Sequence, residues 1–179
     1  MLRALGVHYE AVVPRVDELR DGLPPEELVV ENARLKAAAG LELAGGAPGE
    51  VALGVDTDVF LDGRAMGKAA SGEEARERLE MLSGRTHEVL SGVALAPSGE
   101  TGVARSYVTF RALDEGVLGR YLASGEWRDR AGAYAIQGLG ATLVERVEGD
   151  FSNVVGLPLQ LLLELAPELF PPISSGSAG

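Results

Sequence analysis

Six charged residues stand between apolar runs rather than in one solvated stretch: Asp17, Glu18, Lys36, Asp56, Asp58 and Lys68. They supply both signs that phosphate chemistry requires. Carboxylate oxygens hold a hard divalent cation, while lysines neutralise phosphate oxygens beyond that cation's reach. On spacing alone, the same residues read equally well as surface charges and turn formers, because aspartate stabilises turns by bonding nearby backbone. A second candidate is Gly132-Ala-Tyr-Ala-Ile-Gln137-Gly138-Leu-Gly140. Its glycines let backbone amides approach a ligand, and the Gln137 amide can both donate to and accept from a base. The plainer reading is a set of tight turns between a helix and a strand.

Other chemistries find little support. The chain has no cysteine, which removes disulfides, thiolate zinc sites and thiol nucleophiles. His8 and His87 are far apart and lack a helix-spaced partner, so both read as structural or exposed. Ser152 lies in Gly149-Asp-Phe-Ser-Asn153, which reads as a turn and not as a nucleophile elbow. Gly67-Lys68 lacks the Ser or Thr that completes a phosphate loop, and no strand–glycine-loop–helix dinucleotide fingerprint occurs.

The elements that must position these residues follow from local signals. Met1 to Gly6 reads as the last turn of an amphipathic helix with Gly6 left-handed at its end, Val7 to Val13 as a strand, and Pro14 to Gly22 as a charged loop. Pro24 and Pro25 open a helix through Ala39, with Leu28, Asn32, Leu35 and Ala39 on one side and Gly40 as its end. Val51 to Val55 reads as a buried strand that delivers Asp56-Thr57-Asp58 at its end. Val59 to Met66 then forms a hairpin turning on Asp62-Gly63.

Farther on, Ser71 and Glu74 have capping-box spacing for a helix that stops at Gly84. His87 to Ala96 and Gly102 to Phe110 read as paired strands, and Asp114 caps a helix running to Ser124. Ala141 to Val147 reads as a strand, and Pro158 starts a Leu-rich helix ending before Pro167 or Pro171. Hairpins alternating with helices predict an α/β fold with a mixed twisted sheet flanked by helices.

With 179 residues, 46% of them hydrophobic and 24% charged, the sequence suits one globular domain over residues 1–172. The Ser/Gly-rich end, 173–179, reads as a disordered tail. A formal charge of −11 disfavours a nucleic-acid or anionic-membrane footprint, so an anionic ligand needs local cations or a metal. No run approaches the roughly 20 apolar residues of a membrane span, and no secretory leader is evident, which makes the cytoplasm the default location.

Taken in order, several segments resemble the Maf family: Gly54-Val-Asp-Thr57, Gly67-Lys68, Leu82-Ser-Gly-Arg-Thr-His87, Asp129-Arg-Ala-Gly-Ala-Tyr134, Ile136-Gln-Gly138 and Gly149-Asp-Phe-Ser-Asn-Val-Val-Gly-Leu-Pro158. The resemblance spans roughly Leu2 to Leu169 and is most specific in its last two segments. It implies a Maf/inosine-triphosphatase-like fold and hydrolysis of nucleoside triphosphates to the monophosphate and pyrophosphate. Proteins of this kind are regarded as cleaning noncanonical nucleotides from the pool or restraining septum formation. The Ala-Tyr-Ala-Ile-Gln-Gly stretch resembles the subgroup preferring dTTP and UTP.

Carried over residue by residue, Asp56 matches the proton-accepting or metal-binding aspartate. Asp17, Lys36 and Lys68 match further active-site positions, and Thr57 and Gln137 match specificity positions. The resemblance also implies a divalent cation, Mg2+ or Mn2+, and a homodimer. The family has an opening strand and a Ser-x-Ser-Pro-Arg-Arg type loop, whereas this sequence starts within the helix that follows them. The first strand and its phosphate-binding arginines are therefore expected to be missing. A non-catalytic nucleotide-binding or septum-regulating homologue is the alternative that this departure leaves open.

Overall fold

The structure, a computed structural model, describes residues 1–170. The tail assigned to 173–179 and the domain end at 172 lie outside the described residues. A short 3-10 turn, Leu2–Leu5, ends on left-handed Gly6. The first long element, α1 (Pro25–Ala44), begins on a proline and closes at left-handed Gly45. Gly40, expected as its end, lies inside the helix. A side chain there would make only ordinary contacts with Val12 and Ala52, and the helix continues until Gly45 and Gly46 both take positive φ. The buried side holds Leu28, Val29, Asn32, Ala33 and Ala37, while Leu35 faces outward.

Next, β1 (Ala52–Leu61) turns through Asp62 and Gly63, both at positive φ, into β2 (Arg64–Ala65). The helix α2 (Gly72–Leu82) is capped by Ser71 Oγ, which accepts from the Glu74 amide. A long hairpin follows, β3 (Thr86–Ala96) and β4 (Thr101–Phe110). Asp114 caps α3 (Glu115–Ser124), and Gly125 ends it in the left-handed region. A 3-10 stretch, Gly138–Leu143, occupies the front of the strand expected from Ala141, so that β5 is Val144–Glu148. The short α4 (Phe151–Val155) and α5 (Leu159–Leu165) close the fold.

Two further expectations are corrected. First, the sheet, ordered β2-β1-β3-β4-β5, is antiparallel at every described pairing and not mixed. The connection through β2 and α2 starts beside the end of β1 and returns beside the start of β3. The connection through α3 likewise starts and finishes at the Phe110 end of β4, so each strand re-enters running backward. Second, Val7 to Val13 forms no strand, and Val13 is 91% exposed. That segment leads over α1, where Val12 approaches Gly40 and Leu19 bonds Asn32, and a helix surface has no free backbone groups to extend a ladder.

Alternate residues of the central strands meet different layers. On one side, α1 packs against β1 and β3 at very close range. A Cβ on Gly54 would overlap the Ala33 carbonyl oxygen, and one on Gly92 would overlap that of Val29. Phe60, Leu90, Leu28 and Val29 seal this layer, each fully buried apolar side chain contributing about 1.5–3 kcal/mol. On the other side, α2, α3 and the 126–143 loop cover one end around Leu79, Phe110 and Tyr121. The opposite end of that face is covered by α5 over Val93 and Leu95.

Candidate active site

Asp56, Thr57 and Asp58 were expected just beyond a strand end, but β1 carries them in its middle, paired with Gly92, Ser91 and Leu90 of β3. Burial of both faces of β1 makes the strand continuous where local composition suggests a turn. The consequence is geometric: Asp56 and Asp58 share the α1 face, and Thr57 faces the opposite side.

On the α1 face, the Lys36 ammonium donates to Asp56 Oδ1 at 2.5 Å and pairs with Glu18 Oε1 at 2.8 Å. Asn32 donates to Asp56 Oδ2 at 3.1 Å and holds the leading segment by exchanging hydrogen bonds with Leu19 backbone. Burial works against charge on Lys36, but the hydrogen bonds it donates to both carboxylates, together with their charges, outweigh it and hold the lysine above its ordinary range. The hydrogen bond from Lys36 holds Glu18 low, with the charges of Lys36 and Lys68 acting in the same direction against burial. At half-buried Asp58, desolvation pushes the carboxyl up to about 6 despite the Val59 amide donating to it at 2.7 Å.

On the other face a cleft of about 540 Å³ opens. Thr57, Lys68 and Gln137 all line it, together with Arg130. Its floor is apolar, with Val55, Val59 and Val89 beneath and Val155 beside. The rim that carries Lys68 is pinned: its backbone bridges Ala131, and the Gly132 amide donates to the Gly67 carbonyl at 2.9 Å. Asp129 and Ala133, both non-glycine residues at φ 58°, make the turn that this docking requires. The loop amides expected to serve a ligand are partly spoken for, since Glu126 accepts from Leu139 and Gly140 at 3.1 Å each.

The predicted residues thus fall into two groups. Lys36 and Asp56 come together behind the sheet, Thr57, Lys68 and Gln137 come together at the cleft, and Lys68 acts electrostatically on both. Asp17 joins neither: it is exposed and makes no side-chain hydrogen bond or ion pair among the described residues, whereas Glu18 reaches Lys36. Sequence reasoning placed Asn32 only on a helix face, and it missed Ser91, whose Oγ lies 2.7 Å from Thr57 Oγ1. A polar residue inside an otherwise buried apolar run was the available signal for each. His87, buried against Phe110 and bonded through Nε2 to the Tyr134 hydroxyl at 2.9 Å, is structural, and burial lowers it to about 4.

The family model described as "Maf-like protein" matches residues 1–169. A Moorella thermoacetica protein named dTTP/UTP pyrophosphatase is 46% identical over 170 residues, covering 92% of this chain and 86% of its own. One of the same name from Deinococcus radiodurans is 44% identical over 167 residues, covering 92% and 84% respectively. Another from Symbiobacterium thermophilum is 39% identical over 181 residues, covering 100% and 92%.

Proposed function

This chain belongs to the Maf-like protein family, and on that premise we propose that it hydrolyses dTTP and UTP, and modified pyrimidine nucleotides of similar shape, to the monophosphate and pyrophosphate. The observation that carries this reading is the meeting of Lys68, Thr57 and Gln137 at one apolar-floored cleft. The apolar floor suits a flat base, Gln137 and Thr57 suit its polar edge, and Lys68 with Arg130 suits the phosphate charge.

With the base in the cleft, the phosphates extend past Lys68, whose charge also reaches Glu18, toward the ionic group on the α1 face. There water attacks the α-phosphorus and pyrophosphate departs, Asp56 orienting that water and accepting its proton while Lys36 and Lys68 stabilise charge gathering on the phosphate oxygens. Asn32 and Lys36 hold the Asp56 carboxylate in one orientation, so no reorganisation is needed during the reaction. Among the described residues no three His, Cys, Asp or Glu side chains gather as a metal group. Glu18 and Asp56 nevertheless converge on a single ammonium, and two such carboxylates plus substrate phosphates form the donor set Mg2+ commonly takes. Asp56 and Glu18 would hold the cation, Mg2+ or Mn2+, which when bound offsets phosphate charge. A cytoplasmic location and a homodimer belong to the same proposal. Among the described residues no helix is long and apolar enough to cross a membrane.

The test is pyrophosphate release from dTTP and UTP, before and after chelation and with Mg2+ or Mn2+ restored, by wild type and by Asp56→Ala shown to be folded by circular dichroism. Release by wild type and its loss in the variant are expected. Full activity in Asp56→Ala would remove Asp56 from the chemistry, and no release by wild type would remove the proposed function.

A further inference from the structure

Ser91 stands directly across from Thr57 in the β1–β3 register, on the cleft side of the sheet, with the two hydroxyl oxygens 2.7 Å apart. Each hydroxyl has one proton to give and two lone pairs to receive with. Ser91 is fully buried, and among the described residues its hydroxyl has no other hydrogen-bond partner. A proton shut in the interior without an acceptor costs the desolvation of that group, whereas an oxygen with one of its two lone pairs unmet is better tolerated. The Ser91 proton therefore goes to Thr57 Oγ1. The Thr57 proton is left over, and Thr57 lines the cleft.

What that proton meets is limited by its surroundings. Val55 and Val59 flank Thr57 on β1, and Val89 and Val155 line the same cleft, an apolar floor that suits a neutral base, while the cations of the cleft, Lys68 and Arg130, suit the phosphates. The group that Thr57 meets on that floor is then a neutral carbonyl. Gly156, at φ 107°, adjoins Thr57 on the same cleft without crowding it, since a Cβ there would lie 3.8 Å from Thr57 Oγ1, an ordinary contact. Uracil and thymine carry a ring carbonyl at the position where cytosine carries an amine. We infer that Ser91 is a positioning residue that fixes the Thr57 hydroxyl as a hydrogen-bond donor to that carbonyl, so that the pair selects uracil and thymine nucleotides over cytosine nucleotides. The inference rests on the function proposed above.

The experiment compares kcat and KM for UTP and CTP in wild type, Ser91→Ala, Ser91→Thr and Thr57→Val, with thermal melting of each. Wild type is expected to prefer UTP. In Ser91→Ala the Thr57 hydroxyl is free to turn, and the UTP preference falls about tenfold, mainly through a higher KM for UTP, on the scale of one neutral hydrogen bond. Ser91→Thr keeps the donor and restores the preference. Thr57→Val keeps the shape and loses the preference, and adding Ser91→Ala to it lowers it no further.

An unchanged UTP preference in Ser91→Ala, or no UTP preference in wild type, overturns the inference. So does an equal loss on UTP and CTP, which would assign the Thr57 contact to a phosphate or the ribose. If Ser91→Ala does not fold, a preference retained in Thr57→Val overturns it instead. A wild type that releases no pyrophosphate from UTP or dTTP sinks the proposed function, a result distinct from an active enzyme indifferent to Ser91.

Discussion

The two faces of β1 are made from alternate residues of one strand, yet they differ in kind. Behind the sheet, Asp56 and Asp58 lie under a helix brought unusually near by Gly54 and Gly92, and around Asp56 stand an amide, an ammonium and, on that ammonium, a second carboxylate. In front, Thr57 lies among valines at an open cleft, with a serine hydroxyl as its partner. The ionic face is crowded, and the recognition face is open, with an apolar floor around Thr57. A period of two lets one strand serve both, because the change of environment occurs within a single residue step. Lys68, which lines the cleft while its charge lowers Glu18, connects them.

That division predicts that substitutions on the two faces separate kinetically. Asp56→Asn retains size and can still meet Asn32, but it loses the charge that activates water. It should lower kcat about 1,000-fold with little change in KM, the scale of losing one preorganised electrostatic partner. Thr57→Val acts chiefly on KM. If both variants change kcat and KM in the same proportion, the two faces are not functionally distinct.

The close approach of α1 is the next point of attack. Gly92→Ala forces a methyl group against the Val29 carbonyl and should cost about 3 kcal/mol in stability, at the upper end for overpacking, as measured by urea unfolding. Moving α1 outward also separates Lys36 from Asp56, so activity should fall at temperatures where the variant is still folded. On the cleft side the comparable approach is softer, since Gly102 of β4 meets the flexible side chains of Leu161 and Leu165 of α5 and not helix backbone.

Titration gives the faces opposite signs. Asp58 is pushed up to about 6 by burial, so its contribution to stability is present below its unfolded value near 3.8 and lost as pH rises through 6. His87, on the cleft side, is lowered to about 4, so its contribution is present above 6.5 and lost as pH falls through 4. Each amounts to about 2 kcal/mol after allowance for partial relaxation. In wild type they oppose one another between pH 4 and 6.5. Asp58→Asn removes one of them. The variant should be more stable than wild type at pH 7 by about 2 kcal/mol and should lose that advantage on acidification toward pH 4. Parallel stability curves for the two proteins across that range would show that Asp58 is not a buried, neutral-preferring carboxyl.

What could be read from the sequence was local. The Asp62-Gly63 turn, the Ser71 and Asp114 caps and the Pro158 helix start each depend on a few adjacent residues, and each is found in place. What could not be read depends on distant contacts. Asp56-Thr57-Asp58 looks like a strand end because aspartate favours turns, and only the packing of α1 behind it makes it mid-strand. The strand expected at Val7 to Val13 has apolar residues but no neighbouring ladder, which no local pattern can reveal. Family resemblance supplied Thr57 and Gln137, and the structure brings them to one cleft. It supplied neither Ser91 nor Asn32, whose partners lie far along the chain.

The smallest expected effect concerns two adjacent carboxylates that sequence reasoning could not tell apart. Asp17 was expected in the site, but the leading segment turns Glu18 to Lys36 and leaves Asp17 in solvent. The Glu18 side chain is 39% exposed, so its ion pair with Lys36 is screened and worth less than about 1 kcal/mol in stability. Glu18→Gln should therefore shift the melting temperature only slightly. Its effect should appear instead in activity, as a several-fold loss with a higher requirement for Mg2+, because one of the two carboxylates converging on Lys36 has lost its charge. Asp17→Asn should change neither quantity. The reverse pattern, with Asp17→Asn impaired and Glu18→Gln normal, would mean that the segment over α1 takes a different path once nucleotide is bound, with Asp17 as the residue that reaches the ionic face.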